Sequence, residues 1–92
     1  DLIFGSFGGA STIDGGTGND SIIGGSGNDL IFGGLGDDTI ESGNGGSSIY
    51  GGSGNDLIFG SFGSGSDTID DGFGNDSISG SGGNDLIFGG YG

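Results

Sequence analysis

The chain has 92 residues, 29 of them glycine, with 13 acidic and no basic side chains and a formal charge of −13. This is at most one small domain or part of a larger one. It lacks the Lys and Arg that nucleic acids and anionic membrane surfaces require, any run of about 18 apolar residues that could span a bilayer, and any Cys for a disulfide framework.

Glycine and charge at this level ordinarily point to disorder. The 23 Leu, Ile and Phe residues are regularly spaced, however, and a disordered linker has no need of such spacing. Aligned on isoleucine, the chain falls into ten short units, centred on Ile3, Ile13, Ile22, Ile31, Ile40, Ile49, Ile58, Ile69, Ile78 and Ile87. The step is nine residues except for ten from Ile3 to Ile13 and eleven from Ile58 to Ile69. Both insertions lie in Gly-Ser-Phe-Gly turns, at Gly5–Gly8 and Gly60–Gly63. A helix is excluded because each interior glycine costs up to about 1 kcal/mol.

Three residues alternating out, in, out make a short strand, and the Gly, Ser, Asn and Asp between them make turns. Strand and turn repeating at nine residues predict a parallel β-solenoid whose central isoleucines stack inside. The chain opens within a repeat, at Asp1-Leu2-Ile3-Phe4, and closes on Gly-Gly-Tyr-Gly. It therefore reads as one continuous array over residues 1–92, a window of a longer repetitive protein.

The units Gly15–Ile23, Gly24–Phe32, Gly33–Glu41 and Gly51–Phe59 fit the pattern G-G-x-G-x-D-x-U-x, with U a large apolar residue. On these units the chain resembles the RTX calcium-binding repeat family, a pattern already known as a solenoid signature. The resemblance implies a right-handed parallel β-roll with two nonapeptides per coil, hence about five coils. It also implies calcium ions between turns stacked on the same side. The carboxylate ligands would be Asp20, Asp29, Asp38, Asp56, Asp67, Asp76 and Asp85. Carbonyl ligands would come from the glycine loops: Gly15, Gly16 and Gly18; Gly24, Gly25 and Gly27; Gly33, Gly34 and Gly36; Gly51, Gly52 and Gly54; Gly72 and Gly74.

Elementary electrostatics points the same way. With two nonapeptides per coil, every second aspartate falls in one column about 4.8 Å from the next. Bare carboxylates at that distance repel by about 1–3.5 kcal/mol per pair for dielectrics between 80 and 20. No Lys or Arg relieves them, whereas a hard cation taking six to eight oxygens does, and carboxylates mixed with carbonyls suit calcium better than magnesium. A single Asp after Asn would be read as a turn terminator; seven in register favour the cation.

The two columns are unequal. One is Asp20, Asp38, Asp56 and Asp76, preceded by Asp1; the other is Ser11, Asp29, Ser47, Asp67 and Asp85. Complete sites are expected at Asp20/Asp38, Asp38/Asp56 and Asp56/Asp76. Weaker or empty ones are expected wherever Ser11, Ser47 or an inserted turn takes part.

The strands also obey a second beat. Leu-Ile-Phe, Thr-Ile-(Asp or Glu) and Ser-Ile-x recur every three units, so successive Leu-Ile-Phe strands fall on alternate sheets. If each isoleucine points inward, Leu2, Phe4, Leu30, Phe32, Leu57, Phe59, Leu86 and Phe88 point outward. Recurring apolar pairs of this kind mark contact surfaces, against the plainer reading that they serve β-propensity. Self-association through these faces, or end to end, is the expectation.

Catalysis is not expected. There is no His, Cys or Lys to act as base or nucleophile, nothing activates the serines, and the adjacent pairs Asp37/Asp38 and Asp70/Asp71 should diverge. An ice-binding face would want ranks of Thr, and Thr12, Thr39 and Thr68 fill only one strand in three. The sequence therefore points to a calcium-stiffened rod, filament or surface-layer segment of a secreted or cell-surface protein. The alternative is the repeat module of an RTX toxin, protease or lipase whose active domain lies outside these residues.

Overall fold

Each of the ten in-register isoleucines is the second residue of its own strand. A computed structural model describes residues 1–92 and contains β1 (Leu2–Phe4), β2 (Thr12–Thr17), β3 (Ser21–Ile23), β4 (Leu30–Leu35) and β5 (Thr39–Glu41). These are followed by β6 (Ser48–Ser53), β7 (Leu57–Phe59), β8 (Thr68–Phe73), β9 (Ser77–Ser79) and β10 (Leu86–Phe88). Odd strands form one five-stranded sheet, β1-β3-β5-β7-β9, and even strands the other, β2-β4-β6-β8-β10. All pairings are parallel, and isoleucine faces isoleucine in every one, as in Ile22↔Ile40 and Ile31↔Ile49. The chain is thus a parallel β-solenoid of five coils with two strands per coil, as the nonapeptide period predicts.

Between the sheets lies a core made of one residue type. Ile13, Ile22, Ile31, Ile40, Ile49, Ile58 and Ile69 are buried, with Ile3 and Ile78 packed against them. Burying each contributes about 1.5–3 kcal/mol. Ile87, in the last of the ten strands, is 45% exposed. The flanking residues point outward as expected: Leu2, Phe4, Phe32, Leu57, Leu86 and Phe88 are exposed, while Leu30 and Phe59 are half-buried. The Leu-Ile-Phe strands β1 and β7 lie in one sheet and β4 and β10 in the other, so the three-unit beat does alternate between faces. On the even sheet Phe32 and Tyr50 stack, with centroids 5.1 Å apart.

One feature departs from the tripeptide reading. Strands β2, β4, β6 and β8 run on for six residues, so that Gly16 pairs with Gly34 and Thr17 with Leu35. The reason lies in turn length. Every turn leading from an even strand to the next odd strand has the nine-residue step, and both insertions fall in turns on the opposite edge. Turns of equal length superpose and extend the ladder; turns of unequal length do not.

Candidate metal centre

Within each repeat the three glycines serve two purposes. The second and third take left-handed backbone angles, as at Gly34 (φ 115°) and Gly36 (φ 129°), which side-chain-bearing residues adopt only with strain. The first glycine is required for space. A Cβ on Gly33 would lie 2.7 Å from Oδ2 of Asp38, beside the carbonyl oxygen of Gly51 one coil on. Gly15 stands in the same relation to Asp20 (2.8 Å) and Gly51 to Asp56 (2.7 Å). The missing side chain therefore leaves a small cradle between a carboxylate oxygen of one coil and a main-chain carbonyl oxygen of the next.

The aspartates form the two columns expected from the sequence. Along the first edge, the main-chain N–H of Asp20 donates to Oδ1 of Asp38 (2.8 Å), that of Asp38 to Asp56 (2.9 Å) and that of Asp56 to Asp76 (2.8 Å). The Asp1 nitrogen stands on Oδ1 of Asp20 in the same way. Along the second edge, Ser11 N–H donates to Asp29, Asp29 N–H to Oγ of Ser47, Ser47 N–H to Asp67, and Asp67 N–H to Asp85. One carboxylate oxygen of each aspartate thus ties its coil to the preceding one.

The other oxygen is left unmatched at three places on the first edge and one on the second. Oδ2 of Asp20, Asp29, Asp38 and Asp56 is buried without a hydrogen-bond partner. Burying an ionised oxygen unpaired is expensive, and native structures rarely leave such groups unmatched. No three acidic side chains converge on one point; a cation here would have to draw on carboxylates from successive coils and on carbonyl oxygens. That donor set suits a hard divalent ion. Burial pushes the carboxyl groups of Asp38 and Asp56 above the ordinary value of 3.8; neighbouring carboxylates push the same way, against the N–H donated from the coil before.

The predicted ligands are therefore brought together unequally. The first glycines Gly15, Gly24, Gly33 and Gly51 border the carboxylate oxygens. By contrast, Gly34, Gly36, Gly52, Gly54, Gly72 and Gly74 stack on backbone of the preceding coil. Asp67 has both oxygens satisfied, Oδ1 by Ser47 N–H and Oδ2 by Ser61 N–H at 2.6 Å. Asp76 is half-exposed, and in its turn the first-glycine place is taken by Asp71, which is buried and accepts the Gly90 N–H. Asp70 faces outward at β8 while Asp71 faces in, so these neighbours diverge as expected.

Sequence reasoning missed a second ladder, one residue before the aspartates. Asp37 N–H donates to the side-chain oxygen of Asn19, Asn55 N–H to Asp37 and Asn75 N–H to Asn55, at 2.8–2.9 Å. Here the later coil donates to the earlier one, the reverse of the aspartate column. The recurring Asn-Asp or Asp-Asp pair thus clamps each turn from both sides, and its repetition was the available signal.

A family model for the RTX calcium-binding nonapeptide repeat (4 copies) matches residues 5–40, 32–64 and 63–92. No curated protein and no solved structure gives a significant match. The matched repeats are calcium-binding ones, and aspartate occupies the repeat's acidic position within the span except at Ser11 and Ser47.

Proposed function

Because the chain belongs to the RTX calcium-binding nonapeptide repeat family, we propose that it is a structural segment that folds on taking up calcium and then serves as a rigid rod, filament or surface-layer element. The observation that carries the calcium half is the file of buried, unpartnered Oδ2 atoms at Asp20, Asp38 and Asp56. Calcium near the millimolar level outside cells fills sites too weak to fill inside them, and binding free energy becomes folding free energy. RTX repeats are typical of secreted proteins, which supports an extracellular or cell-surface location. In this reading the segment performs no catalysis.

The mechanical half is supported by the regularity of the faces. Leu-Ile-Phe strands return on both sheets every three coils, with their outer side chains largely exposed, and apolar patches of this kind are contact surfaces. Lateral association fits the loss of charge when divalent ions neutralise a chain of −13. The second reading, a repeat module of an RTX toxin, protease or lipase, shares fold and metal. It is distinguished by a parent chain whose repeats stop after a few coils next to Lys-, Arg- or His-bearing sequence.

Electron microscopy with calcium and with chelator tests the proposal. Filaments that dissolve on chelation, and that fail to form when the Leu/Phe pairs are changed to Thr although calcium still folds the chain, are expected. Monodisperse particles in calcium would favour the module reading.

A further inference from the structure

The aspartate columns carry an inference that rests on the calcium reading and goes beyond it. We infer that the roll binds metal along one edge: the Asp20–Asp38–Asp56–Asp76 edge holds the ions, and the opposite edge is interrupted at its centre by a matched pair of serines, Ser42 and Ser47.

In the repeat that begins at Ser42, the first glycine and the aspartate of the motif are both replaced, by Ser42 and Ser47. The cradle geometry couples the two positions without making the exchange obligatory: where Asp71 takes the first place on the other edge, Asp76 stays acidic but is half-exposed rather than buried. Where the first position is glycine, its absent Cβ would lie 2.6–2.8 Å from the aspartate's Oδ2, closer than such atoms can approach. Ser42 carries that Cβ, and Ser47 ends one bond short of where Oδ2 would lie. The exchange keeps the coil-to-coil bond, since Ser47 Oγ accepts the Asp29 N–H at 3.2 Å. It removes the charge and fills the cradle. Ser42 is fully buried, and its Oγ has no partner.

The consequences spread along that edge. Asp29 keeps an unpartnered Oδ2, but its column neighbours are Ser11 and Ser47. A cation there meets one carboxylate, where between Asp38 and Asp56 it meets two. Asp67 and Asp85 are both acidic, yet Asp67 Oδ2 is already held by Ser61 N–H inside an inserted turn. Both insertions lie on this edge, while the first edge keeps equal turns throughout. The first edge is thus a file of carboxylates in turns of equal length, and the other is broken by serines and inserted turns.

Calcium titration by calorimetry, with the ion count checked by equilibrium dialysis, tests this on four variants. Asp38→Asn lowers the number of ions bound and Asp29→Asn leaves it unchanged. Ser47→Asp alone adds no ion and lowers the unfolding temperature. Ser42→Gly with Ser47→Asp binds more calcium than the unaltered chain, up to the two contacts Ser47 makes, with Asp29 and Asp67. Loss of ions from Asp29→Asn equal to that from Asp38→Asn, or an added ion in Ser47→Asp without loss of stability, overturns the one-edged reading alone. No calcium uptake by the unaltered chain at millimolar concentration overturns the calcium reading as well.

Discussion

The main-chain N–H of Asp38 donates to Oδ1 of Asp56 at 2.9 Å, while Oδ2 of both residues is buried without a partner. Each carboxylate is thus half structural and half uncompensated. Substitutions that separate the halves should behave differently. Asp38→Asn keeps an acceptor for Asp20 N–H but removes a charge. It should weaken calcium binding and yet ease folding in chelator, by relieving repulsion of about 1–3.5 kcal/mol per neighbouring pair. Asp38→Ala also removes the acceptor and should be less stable than Asp38→Asn with or without metal, since an unmet buried N–H costs about 1–3 kcal/mol. Paired calcium titrations and melts of the two variants check this.

The first glycine of the motif should be intolerant for reasons of space alone. Gly33→Ala places a methyl group 2.7 Å from Asp38 Oδ2 and against the Gly51 carbonyl, and should destabilise the calcium-loaded roll by about 1–3 kcal/mol. Gly8, in an inserted turn, has nothing within 4 Å of its would-be Cβ. Gly8→Ala should therefore change stability by no more than about 0.5 kcal/mol. Denaturant midpoints in calcium distinguish the two; equal losses would contradict the cradle.

The metal-free chain should respond to acid in an unusual direction. Burial, reinforced by neighbouring carboxylates, raises the Asp38 and Asp56 carboxyl groups above 3.8. A group whose folded value lies above its unfolded value stabilises the fold fully below the unfolded value and loses that contribution as pH rises through the folded one. In chelator, β-structure should therefore increase as pH falls toward 3.8 and disappear on neutralisation. With calcium present, protons compete for the same oxygens and affinity should drop over that range. Circular dichroism against pH, with and without calcium, reads both.

The isoleucine register and both aspartate columns were legible because the period is strict: two nonapeptides per coil fix which residues stack, and a shift of one residue would expose every Ile. Serine at positions 11 and 47 was likewise visible as a gap in the second column of carboxylates. Other features depended on atomic detail that a period does not carry. The Asn19–Asp37–Asn55–Asn75 ladder looks like ordinary turn chemistry until the donor direction is seen. The burial of Asp71 follows from its taking a glycine place at the end of a strand that runs six residues. That Ser42 brings a Cβ to the place where the other turns have a glycine against an aspartate oxygen is likewise a matter of distances.

The central claim is that bound calcium neutralises the stacked aspartates and so lets the isoleucine core close. Calcium titration of the chain at neutral pH, followed by far-ultraviolet circular dichroism and reversed with excess chelator, tests it most directly. A disordered spectrum that converts to β-structure with calcium and reverts on chelation is the predicted result. A β-spectrum of unchanged intensity in excess chelator would contradict it.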